Sequence, residues 1–421
     1  MIVHPSNPIT EFKNLRMIQI KNHFEDRRIE HIEEVILQQI ASLNLSTKEL
    51  KDKEIAITVG SRGIHNIKLI IQTIINKLKE YGAKPFIIPA MGSHGGATAE
   101  GQLEVLESLG FTEESCGVPI RSSMEVVELG TTNEGVPVFM DKIAYESEGI
   151  IIVNRVKKHT DFTSNYESGL CKMSTIGLGN HKMAQTMHSY GVKGLRDHIK
   201  QCAKVVFDSG KILFGMAIVE DSYDHTAMIE AMPANEILKR EPKLLELAND
   251  LLPKLPINEI DILIVEQIGK NFSGTGMDTN VIGRINIVGE TDPPNPNIRF
   301  IIVDDLSEAS HGNALGIGLA DFTTEKLYKK IDLQKMNENT ITTTFLKRAF
   351  IPMVLKDVHE AMKVSTNLLK VSDLNSLKII KIKNTLNLED LWVSPKVLEE
   401  MAGKASFEVI SEASYKECFN E

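Results

Sequence analysis

The chain has 421 residues, enough for two or more domains with separate cores, and at 42% hydrophobic and 25% charged it carries no biased tract. Its formal net charge of −10, from 57 acidic against 47 basic residues, excludes a general nucleic-acid binder but allows a local basic pocket for an anion. Cys116, Cys171, Cys202 and Cys418 lack CxxC spacing, no apolar run reaches the roughly twenty residues of a membrane helix, and Met1–Asn7 shows no signal-peptide pattern, so the expectation is a cytoplasmic enzyme with free thiols.

In chain order, Lys53 to Val59 reads as a strand, Asn66 to Tyr81 as an amphipathic helix and Lys84 to Ala90 as a second strand. A helix from about Thr98 to Leu109 follows, ended by Gly110. Val136 to Met140, Gly149 to Val153 and Ile212 to Val219 read as further strands. Such alternation predicts an α/β fold with a mainly parallel sheet and helices on both faces.

Thr226 to about Leu255 reads as helical, interrupted by Pro233, Pro242 and Pro253, and is the candidate connector between domains. The strand–helix rhythm then resumes at Ile260 to Val265 and Arg299 to Val303. The expected organisation is therefore two α/β domains, 1–255 (with the helical connector at about 226–255) and 256–421, with a cleft between them. Lys329-Lys330 and the lysines from Lys378 to Lys383 read as solvated faces.

Candidate chemistry gathers in polar, glycine-punctuated loops that follow apolar strands, where open α/β sheets place their sites. Gly60-Ser61-Arg62-Gly63 and Met91-Gly92-Ser93-His94-Gly95-Gly96 can hold an anion on backbone N–H groups, or be turns with nothing bound. Neither matches GxGxxG or GxxxxGK[ST], so a dinucleotide or P-loop site is not indicated. Arg62 offers a fork suited to carboxylate or phosphate, and His94 can exchange a proton near neutrality. The run Val156-Lys157-Lys158-His159-Thr160-Asp161-Phe162 follows the strand ending at Val153 and leads to Glu167-Ser168-Gly169-Leu170-Cys171-Lys172. Lys172 lies in apolar company, where a lysine loses charge and becomes nucleophilic, although a surface lysine fits the same spacing. His181 and His188 are seven apart, two helical turns, and so can share a face. No HExxH is present, so a metal here would draw most of its ligands from a cofactor. In the second half, Lys270, Asp278, Asn280, His311 and Asn313 stand in polar loops after strands, equally suited to ligand contact and to loop hydrogen bonding. Trp392 reads as packing.

The order His94, His159, Ser168-Gly169-Leu170-Cys171-Lys172, His188 resembles the nickel-pincer lactate racemase family, and in particular its racemase-like paralogues, over most of residues 10 to 220. The resemblance implies an isomerase that racemises or epimerises a 2-hydroxy acid. It implies a cofactor made of a pyridinium mononucleotide that holds nickel through two sulfur arms and a ring carbon. By position, Lys172 resembles the lysine joined to that cofactor, His188 the nickel-ligating histidine, and His94 and His159 the two acid/base histidines. Arg62 resembles an anion-contacting arginine and Lys270 a lysine of the second domain, with Ser93, Gly95 and Ser168 completing the cofactor contacts. Lys157 and Lys158, with Asp278 and Asn280, are the expected substrate contacts. The sequence departs from the lactate enzymes at Gly60-Ser61-Arg62-Gly63, which lacks their aspartate and proline. It departs again at Gly169-Leu170-Cys171, which stands where they have glycine-glycine-arginine. These departures point to a hydroxy acid other than lactate.

The partner expected is thus a small-molecule 2-hydroxy acid, with no nucleic acid and no membrane, and with oligomeric state left open, a homodimer being one option. Two alternatives stay open on the residues alone. One is a metal-dependent hydrolase or lyase that uses His94, His159 and His188 as direct ligands. The other is a non-catalytic binder of an anionic metabolite.

Overall fold

The computed structural model describes residues 12, 14–371, 373–403 and 406–419; the Met1–Asn7 run read above lies outside them. It divides into two compact units, one formed by 25–252 and the other by the first 24 residues with 253–421.

The first strand, β1 (Arg16–Asn22), lies in the second of these units, not with the segments that follow it. The remaining strands of the 25–252 unit are β2 (Glu54–Val59), β3 (Lys84–Pro89), β4 (Val126–Thr131), β5 (Pro137–Asp141), β6 (Gly149–Arg155), β7 (Ile212–Glu220) and β8 (Thr226–Pro233). Five of them form a sheet in the order β3-β2-β6-β7-β8, and β4 and β5 form a separate antiparallel hairpin. Strands β3, β2, β6 and β7 are parallel, and β8 returns antiparallel to β7. The parallel strands are apolar on both faces, as Ile55, Ala56, Ile57, Ile150, Ile151 and Ile152 are all buried. One face packs the helix Ile67–Glu80, whose Ile70, Ile71, Ile74, Ile75 and Leu78 recur at helical spacing. The other packs the helices Ile199–Asp208 and Ala234–Asp250.

The expected helical connector at 226–255 is corrected. Thr226–Pro233 is a strand paired antiparallel with β7, alternating only over Met228–Ala231 and buried again at Thr226 and Met232, a pattern that the prolines obscured. Pro233 caps the helix Ala234–Asp250, and Pro242 sits inside that helix without ending it.

The second unit holds one eight-stranded sheet built from β1, β9 (Glu259–Ile268), β10 (Asn297–Leu306), β11 (Phe322–Thr324), β12 (Met353–Leu355), β13 (Ile379–Ile382), β14 (Asp390–Val393) and β15 (Phe407–Ser414). Its order is β12-β11-β10-β9-β13-β14-β1-β15, parallel from β12 to β13 and antiparallel thereafter. Residues 16–22 join this unit because β1 pairs with both β14 and β15, sealing Met17, Ile18 and Ile20 into its core. Lys381, expected on a solvated face, is buried on β13 with its amine on Glu266 Oε1 at 2.7 Å. Trp392 is packed, as expected. All four cysteines are buried and unpaired. No helix among the described residues is long and apolar enough to cross a membrane.

Candidate active site

Three adjacent parallel strands, β3, β2 and β6, deliver their following loops to one edge of the sheet, and each loop carries a candidate residue. After β2, the loop with exposed Arg62 is tethered at its far end, where the His65 N–H donates to Glu220 Oε1 at 2.7 Å. Glu220 in turn pairs with Arg155 at the end of β6. Arg62 itself makes no hydrogen bond or ion pair among the described residues.

After β3, His94 Nδ1 lies 2.7 Å from the carbonyl oxygen of Met91. The buried Gln102 supports this loop from below, its Nε2 donating to Gly92 O at 3.0 Å. Gly95 has φ +65°, and a Cβ there would stand 2.4 Å from the carbonyl carbon of Gly101, so glycine is required. Ser93 is exposed beside His94.

After β6 the chain makes a narrow excursion, closed where Lys157 and Ser168 exchange backbone hydrogen bonds. Inside it, buried Glu167 accepts from Lys158 Nζ at 2.6 Å, the His159 N–H at 2.5 Å and the Ser164 N–H at 3.0 Å. Lys158 is therefore committed to holding the loop, which leaves exposed Lys157 as the lysine facing outward. The His159 ring is fixed twice. Its Nδ1 accepts from the Asp161 N–H at 3.1 Å, and it stacks on Phe162 with centroids 4.6 Å apart.

The chain then turns into the segment that holds Lys172. Gly169 is extended there, and a Cβ on it would meet Glu241 Oε1 at 2.6 Å. That buried carboxylate accepts the Cys171 N–H at 2.9 Å, and burial raises its pKa to about 7. Lys172 closes a single α-turn, Leu170–Lys172, and Met173–Gly177 widens to π-helical geometry, a distortion common at functional sites. The Lys172 amine has no hydrogen bond or ion pair among the described residues. Packing around it lowers its pKa from 10.5 to about 8; Asp161 and Glu167 oppose the fall, while Arg62 and Lys157 add to it.

The charge of this amine is felt by two of the candidate histidines. His94 is held below its ordinary pKa by the surrounding protein, then by Arg62 and Lys172. His188, on the helix Asn180–Ser189, is lowered first by the loss of water to the protein packed around it and then by Lys172, with Asp161 opposing. His159 joins the group through Asp161, whose Oδ2 is 3.7 Å from its Nδ1. His181 lies on the same helix as His188, but its Nδ1 is buried without a hydrogen bond among the described residues.

The remaining candidates belong to the other unit. Lys270 Nζ donates to Gly274 O at 2.6 Å, and Asp278 caps a short turn by accepting the Asn280 N–H at 2.9 Å and Asn280 Nδ2 at 3.1 Å. His311 follows a turn with φ +47°, and Asn313 Nδ2 donates to Asn339 Oδ1 at 3.2 Å. Asp161, Glu167 and Glu241 had no role in the sequence reading. The first two were legible as carboxylates beside the histidine and lysines, whereas Glu241 lies 70 residues beyond Cys171 and had no local signal.

The three-histidine alternative meets a geometric obstacle. Among the described residues, only Asp26, Asp221 and His225 bring three such ligand atoms within 4.8 Å of one another; His94, His159 and His188 do not.

Residues 6–198 match the family model of the lactate racemase N-terminal domain. The lactate racemase apoprotein of Thermoanaerobacterium thermosaccharolyticum has a similar fold, with a TM-score of 0.52 at 13% sequence identity over 88% of this chain and 98% of that one. No curated protein matches the chain. Residues 6–198 are thus similar to the lactate racemase N-terminal domain, and the chain as a whole has a fold of the same kind as that apoprotein.

Proposed function

We propose that the protein is an isomerase that racemises or epimerises a 2-hydroxy acid with a nickel-pincer pyridinium mononucleotide as cofactor. The observation that carries this reading is the Lys172 amine, unpaired and lowered to about 8 among His94, His188 and Arg62. A lysine held partly neutral without a partner fits covalent attachment of a cofactor. An imidazole kept neutral, as His188 is, fits metal ligation. When bound, the group would supply a hydride acceptor beside a Lewis-acidic metal.

The chain's own residues supply the rest. The α-hydrogen of a hydroxy acid is poorly acidic, so a base must take the hydroxyl proton as the α-hydrogen leaves. His94, neutral near pH 7, is suited to that task, and His159 stands as its counterpart. Arg62 and Lys157, both exposed, are the groups proposed for the substrate carboxylate, and Lys158 is held by Glu167. Ser93, Gly95 and Ser168 are the proposed cofactor contacts on the same edge.

The test is to prepare the protein in cells able to make the cofactor, then measure nickel and intact mass. Near-stoichiometric nickel and an added organic mass that vanishes in Lys172→Ala are expected. Isomerisation of hydroxy acids in deuterated water should leave the α-position unlabelled. Absence of both nickel and mass shift, or solvent deuterium at the α-carbon, overturns the reading. Zinc or iron without organic mass would favour the hydrolase alternative, and ligand-induced stabilisation without turnover the non-catalytic binder.

A further inference from the structure

We infer that Glu241 is the positioning residue of Lys172: its carboxylate, 70 residues beyond Cys171, caps the turn that carries the lysine. The first N–H groups of a helical turn have no partner within it, and the residue before them ordinarily supplies one from its side chain. Here that residue is Gly169, which has no side chain to offer. Glu241 Oε2 accepts the Cys171 N–H instead at 2.9 Å, and the Leu170 N–H and the Cys171 thiol also favour its charged form. Glycine is needed at 169 for the same reason, since a Cβ there would stand 2.6 Å from Glu241 Oε1. The carboxylate is buried and makes no ion pair among the described residues, so these donors are what offset the cost of its burial.

Both sides of this contact are fixed. Pro242, next to Glu241, has no N–H to give the Leu238 carbonyl four residues back in the helix Ala234–Asp250. The Tyr166 hydroxyl donates there at 2.6 Å instead, which ties that helix to the loop after β6. On the other side, Asn154 Nδ2 on β6 donates to Gly169 O at 2.9 Å. A Cβ on Gly215 would stand 2.5 Å from Leu170 Cδ1, so Leu170 is seated directly on β7. Lys172 follows two residues later, and the turn sets the direction of its side chain. The cap thereby keeps the amine in packed surroundings and out of water. Its use rests on the reading of Lys172 as the point of cofactor attachment, proposed above.

The test is acylation of the full-length protein, without cofactor, by acetic anhydride from neutral to alkaline pH, with Lys172 followed by peptide mass mapping. Wild type should show a midpoint at about 8. Glu241→Met fills much the same space without an acceptor. Its midpoint should rise by about one to two units toward 10.5 as the turn loosens and the amine regains water. Glu241→Gln keeps an oxygen for the Cys171 N–H and should restore the wild-type midpoint, which packing alone would not distinguish from Glu241→Met. Should Glu241→Met fail to fold, Gly169→Ala, which retains the carboxylate but displaces it, carries the same expectation. A midpoint that stays at about 8 without the carboxylate's contact, or one raised as far in Glu241→Gln as in Glu241→Met, overturns the inference. In cells able to make the cofactor, Glu241→Met should gain about tenfold less of the Lys172-dependent mass than wild type, the effect of a misplaced reacting group. A wild type that takes up no organic mass, while the midpoints move as stated, sinks the attachment reading alone. Full loading of Glu241→Met with an unmoved midpoint sinks the positioning role alone.

Discussion

In the unit containing 253–421, three lysines beside the parallel strands are matched to carboxylates. Lys381 pairs with Glu266 at 2.7 Å, Lys326 with Asp304 at 2.9 Å, and Lys330 with Asp305 at 2.9 Å. A cavity of about 570 Å³ opens there, and its lining includes Glu266, Asp304, Asp305, Lys326 and Lys381. At the corresponding strand ends of the 25–252 unit, Arg62 and Lys172 have no such partner, and Lys172 is packed closely enough to drop to about 8. Matched charge costs a fold little. An unmatched amine inside protein works against folding, and such departures from local consistency concentrate at functional sites.

The sharpest way to break this contrast is to unmatch the pair that braces the His159 loop. Glu167→Ala leaves the half-buried Lys158 without its carboxylate and frees two backbone N–H groups. A loss of about 3–5 kcal/mol in urea unfolding is expected, the usual cost of removing one partner of a buried pair. Glu308→Ala, which removes an exposed partner of Lys330, should change stability by less than about 0.5 kcal/mol. Similar values for the two would mean that the His159 loop is not held as described.

Next in size, the same substitution should have opposite signs in the two units. Lys172→Met removes an amine whose charged form the fold disfavours. The fall from 10.5 to about 8 corresponds to about 3 kcal/mol, so the variant should gain up to that much at pH 7. Between pH 8 and 10.5 the unfolded chain binds the proton that the folded chain has released, so wild-type stability rises with pH through that window. The gain from Lys172→Met should shrink over the same range and vanish above it. Lys381→Met instead strips Glu266 and Cys418 O of a donor at 2.7 Å each and should lose about 1–3 kcal/mol. Chemical denaturation at pH 7 and pH 10 reads both; a destabilised Lys172→Met at pH 7 would contradict the unpaired amine.

Much of the strand order around the site was legible because its elements are local. The apolar runs at 54–59, 84–89 and 149–155 end in polar loops, and the periodicity of Ile67–Glu80 is unambiguous. Illegible parts depend on partners far away in sequence. Residues 16–22 find β14 and β15 nearly 400 positions later, and the strand Thr226–Pro233 makes sense only beside β7. Within the site, the family resemblance singled out His94, His159, Lys172 and His188, but not the supporting groups. That Lys158 is engaged by Glu167 follows from that carboxylate folding back beneath the loop, which an alternation of charges cannot reveal. Nor could it show Glu241 seated against Gly169.

The smallest effect on stability, and the most informative about purpose, is expected at Arg62. The side chain is exposed and makes no hydrogen bond or ion pair among the described residues, so Arg62→Gln should leave unfolding within about 0.5 kcal/mol of wild type. Its charge nevertheless acts on both His94 and Lys172. Removing that charge should let both pKa values rise, since a nearby cation disfavours their protonated forms. The pH at which His94 becomes a competent base would then move upward, visible as a shift in its histidine 15N titration. If Arg62 also receives the carboxylate, hydroxy-acid affinity should weaken about tenfold, the loss of one charge-assisted hydrogen bond. An altered titration with unchanged affinity would make Arg62 a tuner of the base; the reverse would make it a substrate clamp. An Arg62→Gln variant that unfolds more readily by several kcal/mol would show its charge to be matched after all, and the contrast between the two units would fail at its most exposed point.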